Sequence, residues 1–170
     1  AYWINLYNAY TIKLIIDHYP INSIKDIGSL IQIPFVNTPW QIEFISLGEE
    51  YYDLDNIEHD IIRKNFNESR IHFALVCAAN SCPNLRKEAY YGSRLDAQLT
   101  DQAIRFLADT SKNKISEQKL ELSKIFRWFK RDFTDSMQFI NYINQYTSIE
   151  ISDAAEIDYM DYDWSLNQRQ

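Results

Sequence analysis

Glycine and proline are scarce in this chain, three and four residues among 170, which excludes collagen-like, Gly/Ser-linker and Pro-rich classes. Cysteine is scarcer still. Cys77 and Cys82 cannot build a disulfide framework, although five residues apart they could close one small ring in an oxidising compartment. Positive charge is outnumbered, 17 Lys and Arg against 24 Asp and Glu, for a formal charge of −7. A field of that sign opposes phosphate backbones and argues against nucleic acid as a partner. The longest apolar stretches, Leu14-Ile15-Ile16 and Ala74-Leu75-Val76-Cys77-Ala78-Ala79, fall far short of the roughly 20 residues of a membrane-spanning helix. No Gly-rich phosphate loop, Gly-x-Ser-x-Gly or His-Glu-x-x-His is found. There is no initiator Met and no basic, apolar leader, and Ala1-Tyr2-Trp3 already lies in a helical pattern, so a fragment or processed chain is expected.

What is abundant is large rings: 12 Tyr, nine Phe and four Trp. With 46% hydrophobic and 24% charged residues, the chain reads as one globular domain over residues 1–170 with a sizeable core, and not as disorder. The fold class expected is α+β, several helices packed on a small, mainly antiparallel sheet.

Trp3, Leu6, Tyr7, Tyr10, Leu14 and His18 recur at spacings of three and four and predict a helix over about 1–19, closed by Pro20. Residues 21–40, punctuated by Gly28, Pro34, Asn37 and Pro39, read as an ordered connection with a short helical turn near Ile24. Alternation from Trp40 to Phe44 and a turn at Leu47-Gly48-Glu49-Glu50 predict a hairpin. Asp55 with Glu58 has the form of a capping box opening a helix over 56–66. The apolar run Ile71 to Cys77 predicts a central strand covered on both faces. Ser93 with Asp96 predicts a capped helix to about Asp109, followed by a weak strand at Lys119 to Leu122. Ser123 caps a helix carrying Ile125, Phe126, Phe129 and Phe133, and a further helix is expected over 135–146. Residues 150–163 are acidic and helix 124–131 is basic on one face; the ordinary reading is two solvated surfaces, and calcium-loop spacing is absent.

Reactive side chains concentrate between Glu58 and Cys82. A thiol becomes a nucleophile as thiolate, next to a base or in a positive field. Cys82 precedes Pro83, a residue favoured at the first helical position, which suggests an N-cap with backbone N–H groups nearby. Cys77, in register with Ile71, Phe73 and Leu75, reads as a buried packing cysteine. His59 is either an exposed first-turn imidazole or the base for the thiol, with Glu58 as orienting carboxylate. His72, on the opposite face of the expected strand, is ordinarily a buried neutral imidazole and otherwise an alternate base. Zinc is the competing use of His59, His72, Cys77 and Cys82, but the histidines lie 13 positions apart, whereas structural zinc pairs are usually two to four residues apart. No metal and no cofactor are expected.

The blocks Tyr2-Trp3-Ile4-Asn5-Leu6-Tyr7-Asn8-Ala9, Asp55 to Arg63, Arg70 to Ala78, Ser81-Cys82-Pro83 and Tyr162-Asp163-Trp164-Ser165-Leu166-Asn167 occur in order along the chain. In them the sequence resembles domain-of-unknown-function family 547. Members usually have residues before the Trp-Ile-Asn block, so the resemblance implies an N-terminally truncated chain. Bacterial relatives are often exported, which favours an exported or periplasmic location. Asn5, Asn8, Glu58, His59, Arg63, Arg70, His72, Cys77 and Cys82 fall on family motif positions, and Asn5 and Asn8 would brace the site or a loop. Glu-His before Cys is the chain order of a permuted papain-like or transglutaminase-like thiol site, an analogy at the level of fold.

Two functional expectations follow. One is a thiol-dependent hydrolase or transferase acting on an amide or thioester, with Cys82 as nucleophile, His59 as base, Glu58 orienting and His72 as alternate base. Arg63, Arg70, Asn5, Asn8 and Cys77 would support it, and the substrate would be a small molecule, peptide or glycan. The other is a non-catalytic protein- or glycan-binding or scaffold module with structural or disulfide-bonded cysteines.

Overall fold

A computed structural model of the chain describes residues 1–28, 38–134 and 138–168. The protein is α+β. Its contacts divide it into two compact units, the first formed by Ala1–Asn67, Leu75–Tyr91 and Asp163–Gln170, the second by Glu68–Ala74 and Gly92–Tyr162.

The first unit begins with helix α1 (Tyr2–Asp17), which buries Ile4, Tyr7, Asn8, Thr11, Leu14 and Ile15. That stripe keeps a three-and-four spacing but shares only Tyr7 and Leu14 with the residues expected to define it; Trp3, Leu6 and Tyr10 are half-buried and His18 is exposed. A 3₁₀ turn, Ile24–Asp26, follows, capped reciprocally by Ser23 and Asp26. Pro34 and Asn37 of the expected connection lie outside the described residues. The hairpin pairs β1 (Ile45–Leu47) with β2 (Glu50–Tyr52) in antiparallel register, Leu47 opposite Glu50. Gly48 takes φ +69° in the turn, a conformation closed to most side chains. Trp40 stands apart from the strand, in a 3₁₀ turn, Pro39–Gln41.

The helix expected over 56–66 is present in altered form. Asn56–Ile62 is a π-helical segment that continues into α2 (Arg63–Asn65), and α1 packs on it. The expected Asp55–Glu58 capping box does not form. Asp53 Oδ1 accepts the Asn56 N–H at 2.6 Å, and Asn56 Oδ1 accepts the Asp53 N–H at 3.3 Å. The stronger reciprocal pair lies two residues upstream, which releases Glu58 from capping.

The second unit holds a three-stranded open sheet in the order β3 (Lys114–Ile115), β4 (Lys119–Leu122), β5 (Glu156–Tyr159). β3 and β4 are antiparallel, β4 and β5 parallel, so this sheet is mixed; the β1–β2 and β3–β4 pairings are the antiparallel ones. Helix α3 (Leu95–Ala108) lays Leu99, Ala103, Phe106 and Leu107 on the core. It is entered through a 3₁₀ turn, Gly92–Arg94, and not through the expected Ser93 box. Its N-cap is Arg94, which offers no side-chain acceptor. Ser123 does cap α4 (Lys124–Trp128), accepting from the Ile125 N–H. Phe129 interrupts the helical run, which resumes as α5 (Lys130–Thr134). Of the helix expected over 135–146, α6 (Phe139–Asn144) is seen; Met137 lies outside the described residues. Lys119 meets Asp158 at 3.3 Å and Lys124 meets Asp161 at 2.8 Å, exposed pairs of small energetic weight.

The expected central strand Ile71–Cys77 is not a strand. Ser69–Phe73 is a 3₁₀ turn, and residues 74–78 have no regular structure. The run is nevertheless buried from Ile71 to Val76. A continuous apolar run reports burial on all sides but carries no period to choose a backbone form.

Phe73, Phe106, Phe126 and Phe133 form the ring cluster of the second unit, with centroids 4.9–6.2 Å apart. Phe126 is fully buried and touches each of the others. Phe126→Ala is therefore expected to cost about 3–5 kcal/mol, read as a lowered urea midpoint with the slope unchanged.

Candidate thiol and acid-base site

Leu75 and Val76 are buried without a ladder partner in a named strand, so their polar backbone atoms need individual partners. The Val76 N–H donates to Asn8 Oδ1 of α1 at 3.0 Å. The next N–H, that of Cys77, donates to Cys82 Sγ at 2.7 Å. This bond closes a loop that turns sharply, with Ala78 at φ 57° and Cys82 N–H on Ala79 O at 3.0 Å. The C-terminal segment pins the loop: Asn167 N–H bonds Ala78 O, Asn80 N–H bonds Ser165 O and Ser81 N–H bonds Asp163 O. Ser81 Oγ accepts the Asp163 N–H in return.

Both cysteines are thiols, not joined by a disulfide. Their burial is the reverse of the expectation: Cys82 is 1% exposed and Cys77 is half-buried. Nor is Cys82 a helix N-cap, because residues 83–86 are not helical. Pro83 sets its own φ, but no helix-forming run follows. The donor that meets the sulfur comes from Cys77 instead. An N–H aimed at sulfur favours the thiolate, while burial opposes it.

Around this loop the first unit gathers acid-base groups. Tyr7 of α1 donates its hydroxyl to Glu58 Oε2 at 3.2 Å. Burial above all, then the negative charge of Glu58, Cys77 and Cys82, pushes the Tyr7 phenol well above its ordinary range. Lys25 places Nζ 3.9 Å from the Trp164 ring centroid; burial lowers its ammonium and Cys77 partly offsets that. Trp164 also packs edge-on against Trp40.

His59, one residue past Glu58, turns toward its own helix. Arg63 Nη1 donates to His59 Nδ1 at 3.0 Å. Guanidinium only donates, so Nδ1 is the acceptor and the neutral ring carries its proton on Nε2, which lies 3.9 Å from Asp55 Oδ1. Burial raises Asp55, and His59 counteracts this. Asp55 thus stands beside the imidazole, a carboxylate the sequence expectation had not assigned to it.

Asn5 forms a two-way clamp on the Tyr90 backbone, Nδ2 to the carbonyl and Oδ1 from the N–H, both 2.8 Å. Arg70 and His72 belong to the second unit. Arg70 is held by Glu68, Asp96 and Thr100 at 2.6–2.9 Å. His72 is 4% exposed, bonds Asp132 Oδ2 through Nε2 at 2.8 Å and stacks on Phe129 at 3.9 Å. Among the described residues, no group of three or more His, Cys, Asp or Glu is arranged to hold a metal ion, and no helix is long and apolar enough to cross a membrane.

Lys25 and Asp132 were not singled out in the sequence, and Tyr7, Trp164 and Asp55 were read there as stripe, family-block and capping residues, not as site residues. Tyr7 stood in the apolar stripe of α1 and in the first family block, with nothing to mark its hydroxyl; Asp132 lies 60 positions from its imidazole.

The family described as "Protein of unknown function, DUF547" matches residues 1–107. The chain belongs to this family. The match includes both cysteines, all the expected site residues, Tyr7 and Lys25; the block at Tyr162 to Asn167 lies beyond it. No curated protein and no solved structure matches the chain.

Two outcomes are expected from these contacts. Asn8→Ala leaves the buried Val76 N–H without its acceptor and is expected to cost about 1–3 kcal/mol, measured by denaturant unfolding. Tyr7 has the opposite value as a pH probe. Its folded pKa is raised, so its contribution is intact below the unfolded value of about 10; above it the unfolded state loses its proton first, and stability falls. Tyr7→Phe is expected to flatten this alkaline decline in chemical-denaturation profiles. Tyr142, also raised by burial, leaves a residual slope.

Proposed function

We propose that this DUF547 protein is a thiol-dependent hydrolase or transferase acting on an amide or thioester, with its reactive centre in the Cys77–Cys82 loop. The observation that carries it is the Cys77 N–H directed at Cys82 Sγ at 2.7 Å, in a loop electrostatically coupled to the Tyr7–Glu58 pair. Cys82 is the nucleophile: its proton passes to a base, the sulfur adds to the carbonyl carbon, and the leaving amine or thiol departs with a proton. Water or an acceptor then cleaves the acyl-enzyme. His59 on the π segment is the base, with Asp55 as its orienting carboxylate; Arg63 must yield Nδ1, or Nε2 must exchange its proton, for the ring to act. Glu58, held by Tyr7, supplies negative charge near the loop. The order Glu58-His59 before Cys82 supports a permuted papain-like or transglutaminase-like arrangement. π turns of this kind recur at functional sites.

A second reading has its own observation. Cys82 is 1% exposed, as a structural thiol would be, while Tyr2, 60% exposed, packs edge-on against Trp3, which in turn meets Tyr52. That aromatic surface suits a protein- or glycan-binding module.

Site-resolved alkylation across about pH 5 to 9 separates the two, read by peptide mass spectrometry. For the enzyme, Cys82 is expected to react below the ordinary thiol pKa of about 8.5, and His59→Ala to slow that reaction by about a hundredfold. Cys82 inert at every pH in the folded protein, or reacting equally in His59→Ala, overturns the enzyme reading.

A further inference from the structure

The two thiols differ in exposure and touch through the backbone, which bears on a chemistry separate from acyl transfer. We propose that Cys77 and Cys82 form a reversible redox couple in which a hydroperoxide oxidises Cys77 and Cys82 resolves it to an intramolecular disulfide.

Geometry comes first. Cys82 Sγ lies 2.7 Å from the Cys77 nitrogen, and with an N–Cα bond of about 1.46 Å it is within about 4.2 Å of the Cys77 Cα. A bridge needs its two Cα atoms within about 7 Å, and this sulfur already lies on the Cys77 backbone. Rotation of the Cys77 side chain about χ1 is the remaining coordinate. The loop between the cysteines is held in its tight form by Ala78 at φ 57° and by its bonds to residues 163–167, so the approach is built into the fold.

Exposure assigns the roles. Cys77 is half-buried, which makes it the one a small oxidant meets first in this proposal, whereas Cys82 is 1% exposed. Lys25, above the Trp164 ring, places a positive charge within electrostatic range of Cys77, a setting that favours the thiolate. The thiolate sulfur attacks the terminal oxygen of the peroxide. The O–O bond breaks, alkoxide or hydroxide leaves and takes a proton from solvent to become alcohol or water, and Cys77 becomes a sulfenic acid, oxidised by two electrons. The Cys82 thiol then attacks that sulfur; the S–S bond forms, and the hydroxyl leaves as water with the Cys82 proton. A small-molecule dithiol reverses the step by exchange. None of this requires the acyl-transfer reading, so either can fail without the other.

The test treats the reduced wild-type chain with hydrogen peroxide in the presence of dimedone, followed by non-reducing peptide mapping. A Cys77–Cys82 link without a dimedone adduct, reversed by dithiothreitol, is the expected result. Cys82→Ser and Cys82→Ala are expected to lose the link and carry dimedone on Cys77; Cys77→Ser is expected to lose the link as well. Dimedone on Cys77 of the wild type at the level of the Cys82 variants, sulfenic acid formed first on Cys82, or only intermolecular disulfides would overturn the proposal. The wild-type map decides even where a variant fails to fold.

Discussion

An apolar backbone that is buried without a ladder is the constraint from which the first unit is built. Residues 75 and 76 lie inside, yet neither belongs to a helix or strand that would satisfy their polar atoms. An unsatisfied buried amide costs about 1–3 kcal/mol, so partners must come from elsewhere. Asn8 supplies one from α1, Cys82 another through sulfur, and the backbone of residues 163–167 pairs with residues 78–81. Asparagine suits the first task, because a short amide on a helix can reach an adjacent chain and accept where a carbonyl would in a sheet. The position of both thiols is a consequence of this accounting.

The same logic explains what the sequence made legible. Periodic elements could be read because burial of one face leaves a period: α1 through Leu14, α3 through Leu99 and Phe106, β4 through Leu120 and Leu122. Ile71 to Val76 shows the limit. Burial on every side erases the period, and strand and irregular backbone then look alike. Caps misled for a different reason: Asp55 with Glu58 and Asp53 with Asn56 are both plausible boxes, and only packing of the π segment decides between them.

Much of the candidate site was legible as composition, since Glu58, His59, Cys77 and Cys82 fall within one stretch. Its pairings were not. The Tyr7–Glu58 contact joins positions 51 apart, and Tyr7 carries an apolar ring that satisfies the helical stripe whether or not its hydroxyl has work to do. His59 shows the converse: Asp55 and Arg63, four residues to either side on its own helix, are near in sequence, yet their contacts with the ring were not among the expectations. A residue next in sequence on a helix points away, while one four along lies on the same face. A π turn changes the rotation per residue and so alters which faces Glu58 and His59 present.

Stability and reactivity meet in the loop at Ala78. A left-handed non-glycine residue costs about 1–2 kcal/mol, and a single backbone hydrogen bond returns about 1 kcal/mol net. No one bond would hold the turn securely, whereas the set contributed by Ala79, Asp163, Ser165, Asn167 and the Cys82 sulfur does. Because one member of that set is a thiol, the chemistry of sulfur is tied to the geometry of the turn. Alkylation or oxidation of Cys82 removes an acceptor from the Cys77 amide as well as a nucleophile from solution chemistry. The loop therefore couples covalent change at sulfur to backbone order, and this coupling holds whether the thiol serves catalysis, redox exchange or structure alone.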